Sequence, residues 1–146
     1  MPDAIFRTLA AIADISAGMR EMASWWREKL GAPSGDSVMR VRRERGRNDD
    51  ASTPHNRGTG LNLTWYAEVD GTDGRTITGA LEAWYDGERE WLVESTVMST
   101  GHDFFEVLME LGSESLAESQ QLADVLLDHA GRLDNAKEEA LEAFLR

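Results

Sequence analysis

The chain has 146 residues, 41% of them hydrophobic, no cysteine and a formal net charge of −12. That length can bury one core without staples, and the missing cysteines exclude disulfides, thiolate zinc sites and thiol nucleophiles. The charge is uneven: residues 1–60 carry ten Lys/Arg against eight Asp/Glu, residues 61–146 five against nineteen, and so acidic a body repels phosphate backbones and favours basic partners.

Asp3 to Leu30 reads as helix. Asp3 is a fitting N-cap, and Ile5, Leu9, Ile12, Met19, Ala23, Trp26 and Leu30 recur at helical steps. Gly18 is the place where it would divide in two, and Gly31 with Pro33 supplies the stop. No stretch approaches the roughly 20 apolar residues of a bilayer crossing. Met1–Leu9 lacks the basic lead and apolar run of a secretory signal, so cytoplasm is the expected compartment.

From Ala32 to Gly60 small and polar residues dominate, broken by five arginines between Arg40 and Arg47. Too few apolar side chains are present to offset the entropy of ordering, which predicts a flexible basic linker over residues 32–60. Val38–Val41 is its one candidate edge strand.

Leu61–Asp70 alternates apolar and polar residues, the period of a half-buried strand. Gly71-Thr72-Asp73-Gly74 and Asp86-Gly87 are hairpin turns, because glycine takes positive φ at no steric cost. They separate further strands over Thr76–Tyr85 and Glu90–Ser99. Beyond these the pattern predicts helices. Thr100 and Asp103 resemble a cap before a stripe of Phe104, Val107, Leu108 and Leu111 that ends at Gly112. Ser115 and Glu118 would cap a second helix closing at Gly131, with a last short one from Asp134.

The expected fold class is therefore α+β: one or two N-terminal helices over residues 1–31, the linker, then a core over residues 61–146. In that core a three-stranded antiparallel meander is followed by two to three C-terminal helices packed on it, all within one domain.

Signatures of catalysis are absent. Gly58-Thr59-Gly60 lacks the strand-to-helix setting and lysine of a phosphate loop, and no serine sits in a nucleophile elbow. Asp124, Asp128 and His129 evoke an oxygen–nitrogen metal site. However, neighbours on a helix point about 100° apart, and a histidine just before Gly131 suits a helix C-terminal dipole. No cofactor or metal is expected. The arginine run lacks an aromatic residue for base stacking and stands before an acidic body, which argues against nucleic acid. Glu106, Glu110, Glu114 and Glu118 recur every four residues and read as a solvated helix face.

The more informative surface is the second face of the sheet. If the odd positions of Leu61–Asp70 face the helices, the other face presents Tyr66, Glu68, Glu82, Trp84, Leu92 and Glu94, together with Thr96. Aromatic anchors among carboxylates suit a basic protein partner. The same carboxylates could instead serve acid–base chemistry, or a second helical layer could cover Trp84 and Leu92. The functional expectation is a non-enzymatic, acidic protein-binding module that blocks a basic partner. Immunity or antitoxin proteins facing a toxin, and chaperones of a secreted protein, are its concrete forms. The alternatives are a structural or regulatory subunit, including a homodimer, and a small ligand-binding or enzymatic domain with a pocket between sheet and helices.

Overall fold

The computed structural model describes residues 2–45, 59–87, 90–117 and 121–146. Helix α1 (Pro2–Leu30) leads into strands β1 (Gly35–Arg45), β2 (Thr59–Asp70), β3 (Thr76–Tyr85), β4 (Trp91–Gly101) and β5 (Phe104–Leu116), and helix α2 (Leu122–Leu145) follows. The five strands form one antiparallel sheet in the order β1-β2-β3-β4-β5. The α+β class and an antiparallel sheet are found, but the expected three-stranded meander with two to three C-terminal helices is not: the sheet has five strands and a single helix follows it. No helix among the described residues is long and apolar enough to cross a membrane.

Three local misreadings account for the difference. Residues 35–45 of the expected linker pair along their whole length with β2, from Gly35↔Val69 to Arg45↔Thr59. Ser37, Met39 and Val41 share the face of Trp65, while Val38, Arg40 and Arg42 share that of Tyr66. Arginine is poor in a sheet interior but tolerated on an edge strand, where its long stem reaches water. Residues 46–58 of the expected linker lie outside the described residues.

The predicted helix at 100–112 is a strand. A tight turn at Gly101–Asp103, with Asp103 at φ 60°, hands the chain from β4 to β5. β5 then pairs with β4 except for two extra residues, Leu108 and Leu111, at the register shifts. Those two bulges space the apolar side chains at three and four residues, which imitates a helical stripe. Downstream, Ser115 ends up in β5, and α2 runs through Gly131 without a break. The buried stripe of α2, Leu122, Leu126, His129, Leu133, Ala136, Ala140 and Phe144, holds its helical step across the glycine. The stripe of α1 likewise passes Gly18 through Ile15, Met19, Met22 and Trp26.

Both helices pack on the same face of the sheet, α1 over β1 and β2, α2 over β3 to β5, and they touch each other. The core between the layers holds Ile15, Met22, Trp26, Trp65, Ile77, Leu81, Val93, Val97, Leu126, Leu133 and Phe144. Two of the buried indoles donate their N–H groups within the core: Trp26 Nε1 to the Lys137 carbonyl at 3.0 Å and Trp65 Nε1 to Ser16 Oγ at 3.2 Å. Close approach of layers is bought by glycine at two points. At Gly35 a Cβ would lie 3.0 Å from Val69 Cγ2 and 3.2 Å from the Ala23 carbonyl. At Gly79 it would lie 2.7 Å from Met22 Cε and 3.1 Å from the Trp26 ring. Gly79→Val should therefore destabilise the fold by about 1–3 kcal/mol, the usual cost of overpacking. Urea denaturation checks this; a parent-like midpoint would mean that α1 does not sit so close to β3.

Candidate functional site

Strand register puts the six residues singled out above on one face, the face that neither helix covers. Going across the sheet, Arg42, Asn62, Trp84, Leu92 and Ser115 form one row, and Arg40, Thr64, Glu82, Glu94 and Ser113 form the next. Val38, Tyr66, Ala80, Thr96 and Glu110 follow, then Asp36, Glu68, Thr78, Met98 and Val107. Trp84 lies directly opposite Leu92, and Glu82 directly opposite Glu94. Glu68 is exposed; Tyr66, Glu82, Trp84, Leu92 and Glu94 are half-buried by their neighbours.

The floor of this face is polar and closed. Asn62, Thr64, Thr78 and Ala80 are buried although no helix lies over them. The Thr64 hydroxyl donates to Asn62 Oδ1, so part of the floor is satisfied within its own strand. Above it, Tyr66 Oη donates to Glu82 Oε1 at 3.5 Å. Burial and the Glu82 charge both push the phenol up from its ordinary value, with Arg42 and Arg40 pulling the other way, so Tyr66 remains a donor at neutral pH. Ser113 Oγ donates to Glu94 Oε1 at 3.3 Å. Glu82 and Glu94 are direct cross-strand neighbours, so two carboxylates stand side by side on this face.

Sequence reasoning missed the two borders of this face. Arg40 and Arg42 from β1 form a basic margin, and the alternation of Val38, Arg40 and Arg42 with Met39 and Val41 was the signal for it. Phe105 and Val107 from β5 form an exposed apolar margin. The four-residue recurrence of Glu106, Glu110 and Glu114 is not a helix face. They lie on β5, Glu110 on the open side and Glu106 and Glu114 on the helix side; Glu118 lies outside the described residues.

A second polar cluster lies between sheet and helix. His129 is wholly buried, with Ser95 Oγ 2.6 Å from Nδ1 and Glu114 Oε1 3.3 Å from Nε2. The Nε2 contact lacks the alignment of a hydrogen bond. Arg132 binds Glu114, Asp128 at 2.6 Å and the Leu111 carbonyl at 2.8 Å. The trio resembles a catalytic triad in composition only, since Ser95 and His129 are both closed to solvent and a nucleophile must reach its substrate. His129 lies mid-helix rather than at a helix C-terminus, so its role is to tie α2 to β4 and β5. Asp124 pairs with Arg7 and Asp128 with Arg132. Among the described residues no group of three side chains could hold a metal ion. No family model matches the chain, and comparison with curated proteins and with solved structures finds no relative.

Proposed function

We propose that the chain is a non-enzymatic protein-binding module that takes a basic protein on the open face of its sheet and blocks it by occlusion. The observation that carries this reading is that Tyr66, Glu68, Glu82, Trp84, Leu92 and Glu94 share the one sheet face neither helix covers. Trp84 and Leu92 offer an apolar anchor with Glu82 and Glu94 in the adjoining row and Arg42, Asn62 and Ser115 in their own, an apolar centre with a polar rim. Glu68, Glu82 and Glu94 place three carboxylates on this face for a Lys or Arg of the partner to approach. The net charge of −12 adds long-range attraction, which raises association rates more than affinity. An immunity or antitoxin protein and a secretion chaperone are the two roles this chemistry fits, and both act in the cytoplasm.

The test captures the partner from native host extract on immobilised chain and measures its affinity across a salt series. Glu68→Gln, Glu82→Gln and Glu94→Gln together should weaken binding of a basic partner at least about tenfold and flatten the salt dependence, as loss of close charge pairs does. An acidic partner, or one held equally well by the triple variant, would overturn the reading.

A further inference from the structure

On the other side of the molecule, the outward surface of the helix layer contains a cleft of about 180 Å³ between α1 and α2. Its walls are Ile15, Met19 and Met22 from α1 and Leu127, Ala130 and Leu133 from α2. Leu127 is 41% exposed there. At its mouth stand three carboxylates, Asp14, Glu21 and Asp134. Asp134 is partly engaged by Lys137 at 3.0 Å.

One glycine lines this cleft and another lies beside one of its wall residues. Gly18 lines it directly, and Gly131 lies one residue past Ala130 and one turn beyond Leu127. Each sits inside a long helix, where glycine is less favourable than alanine. A Cβ at either would meet nothing within 4 Å among the described residues, so no packing there demands a glycine. At Gly18 the absent side chain leaves room in the cleft for a group from outside.

Size and charge define the occupant. Small-molecule pockets run to roughly 300–1,000 Å³, whereas a cavity of about 150 Å³ holds a benzene-sized group. The cleft therefore fits one large apolar side chain. Asp14 and Glu21 are seven residues apart, about 10 Å along the helix axis, the span between positions three or four residues either side of a central residue on a visiting helix. We infer that the α1–α2 cleft docks a basic amphipathic helix of a protein partner, with a Leu-sized side chain over Gly18 and Lys or Arg one turn to each side, facing Asp14 and Glu21. A helix laid into the groove of two others is a recurring recognition mode. This site is independent of the open sheet face, and either can fail without the other.

The probe is a synthetic 15-residue helical peptide with a central leucine and lysines three and four residues to either side. Its counterparts carry alanine at the centre or glutamate for the lysines. Titration into the ¹⁵N-labelled chain should give saturable amide shifts at Gly18, Leu127, Ala130 and Gly131. Affinity should fall at least about tenfold with the alanine-centred peptide, and binding should vanish with the glutamate one. Gly18→Leu should abolish docking while melting no lower than the parent, because the open site accepts a side chain and the helix gains propensity. Should that variant fold poorly, Asp14→Asn with Glu21→Gln serves instead and should weaken docking and its salt dependence together. The inference is overturned if the shifts fall on the sheet around Glu82 and Glu94, if these variants bind like the parent, or if light scattering shows the cleft occupied by a second copy of the chain.

Discussion

Replacing Trp26 with alanine is expected to cost about 3–5 kcal/mol, the range for deleting a fully buried aromatic side chain, and so to lower the melting temperature by something on the order of 10 °C. Three terms combine. Trp26 has no solvent exposure, so its whole apolar surface returns to water or faces a void. The Lys137 carbonyl loses the indole donor that ties α1 to α2. The ring also fills the space that Gly79 leaves above β3, and alanine leaves that space empty. A domain of this kind has some 5–15 kcal/mol to lose, so the variant should be marginal. The geometry makes a sharper claim as well: Gly79→Val should cost less in the Trp26→Ala background, because the ring it would strike is gone. Urea curves of the parent, both single variants and the double variant test this. Additivity within error would mean that Trp26 and Gly79 do not meet.

His129 should show the second large effect and a pH signature. His129→Ala at pH 7.5 is expected to cost about 2–4 kcal/mol, by opening a cavity and stranding the Ser95 hydroxyl. In the fold, burial first and Arg132 second push the imidazole below its ordinary value of 6.5, and Glu114 and Asp128 offset this only in part. The unfolded chain thus binds a proton near pH 6.5 that the folded chain refuses. Stability contributed by neutral His129 is complete above that pH and is lost as pH falls toward the lowered folded value, by at most about 1.4 kcal/mol per pH unit. In the tautomer protonated at Nε2, Ser95 donates to Nδ1, and a second ring proton would remove that acceptor. The stability difference between parent and His129→Ala should therefore shrink between pH 7 and pH 5. Parallel curves would show that His129 titrates alike in both states.

The central strands were legible because their alternation is regular and their turns carry glycine, so local signals and tertiary structure agree. From the register of Leu61–Asp70, Thr76–Tyr85 and Glu90–Ser99 the six candidate residues could be assigned to one face. The edges were not legible. β1 is written in arginine, which composition assigns to solvent. In β5 the extra residues Leu108 and Leu111 turn a period of two into an apparent period of three to four. In each case the partner strand decides, and no window of local sequence contains it. Gly18 and Gly131 misled in the opposite sense: they read as helix ends, yet the apolar stripes continue past them, and burial of those stripes outweighs about 1 kcal/mol of glycine penalty. His129 was read as a response to a helix dipole because the helix was taken to end beside it.

The sheet order repeats the chain order, and this bears on how the molecule assembles. Every strand pairs with its immediate neighbour in sequence, so the sheet can grow strand by strand, with short closures from β2 to β5 and a longer one, over residues 46–58, between β1 and β2. Contacts that span the whole chain are those between the terminal helices, such as Arg7 with Asp124 and Trp26 with Lys137. The five strands can thus form a sheet before the chain's ends have met, leaving the apolar side of Trp65, Leu81 and Val93 uncovered until α1 and α2 arrive. Because α1 precedes the five strands in the chain and α2 follows them, that apolar side gains its full cover only once α2 has been made and has docked.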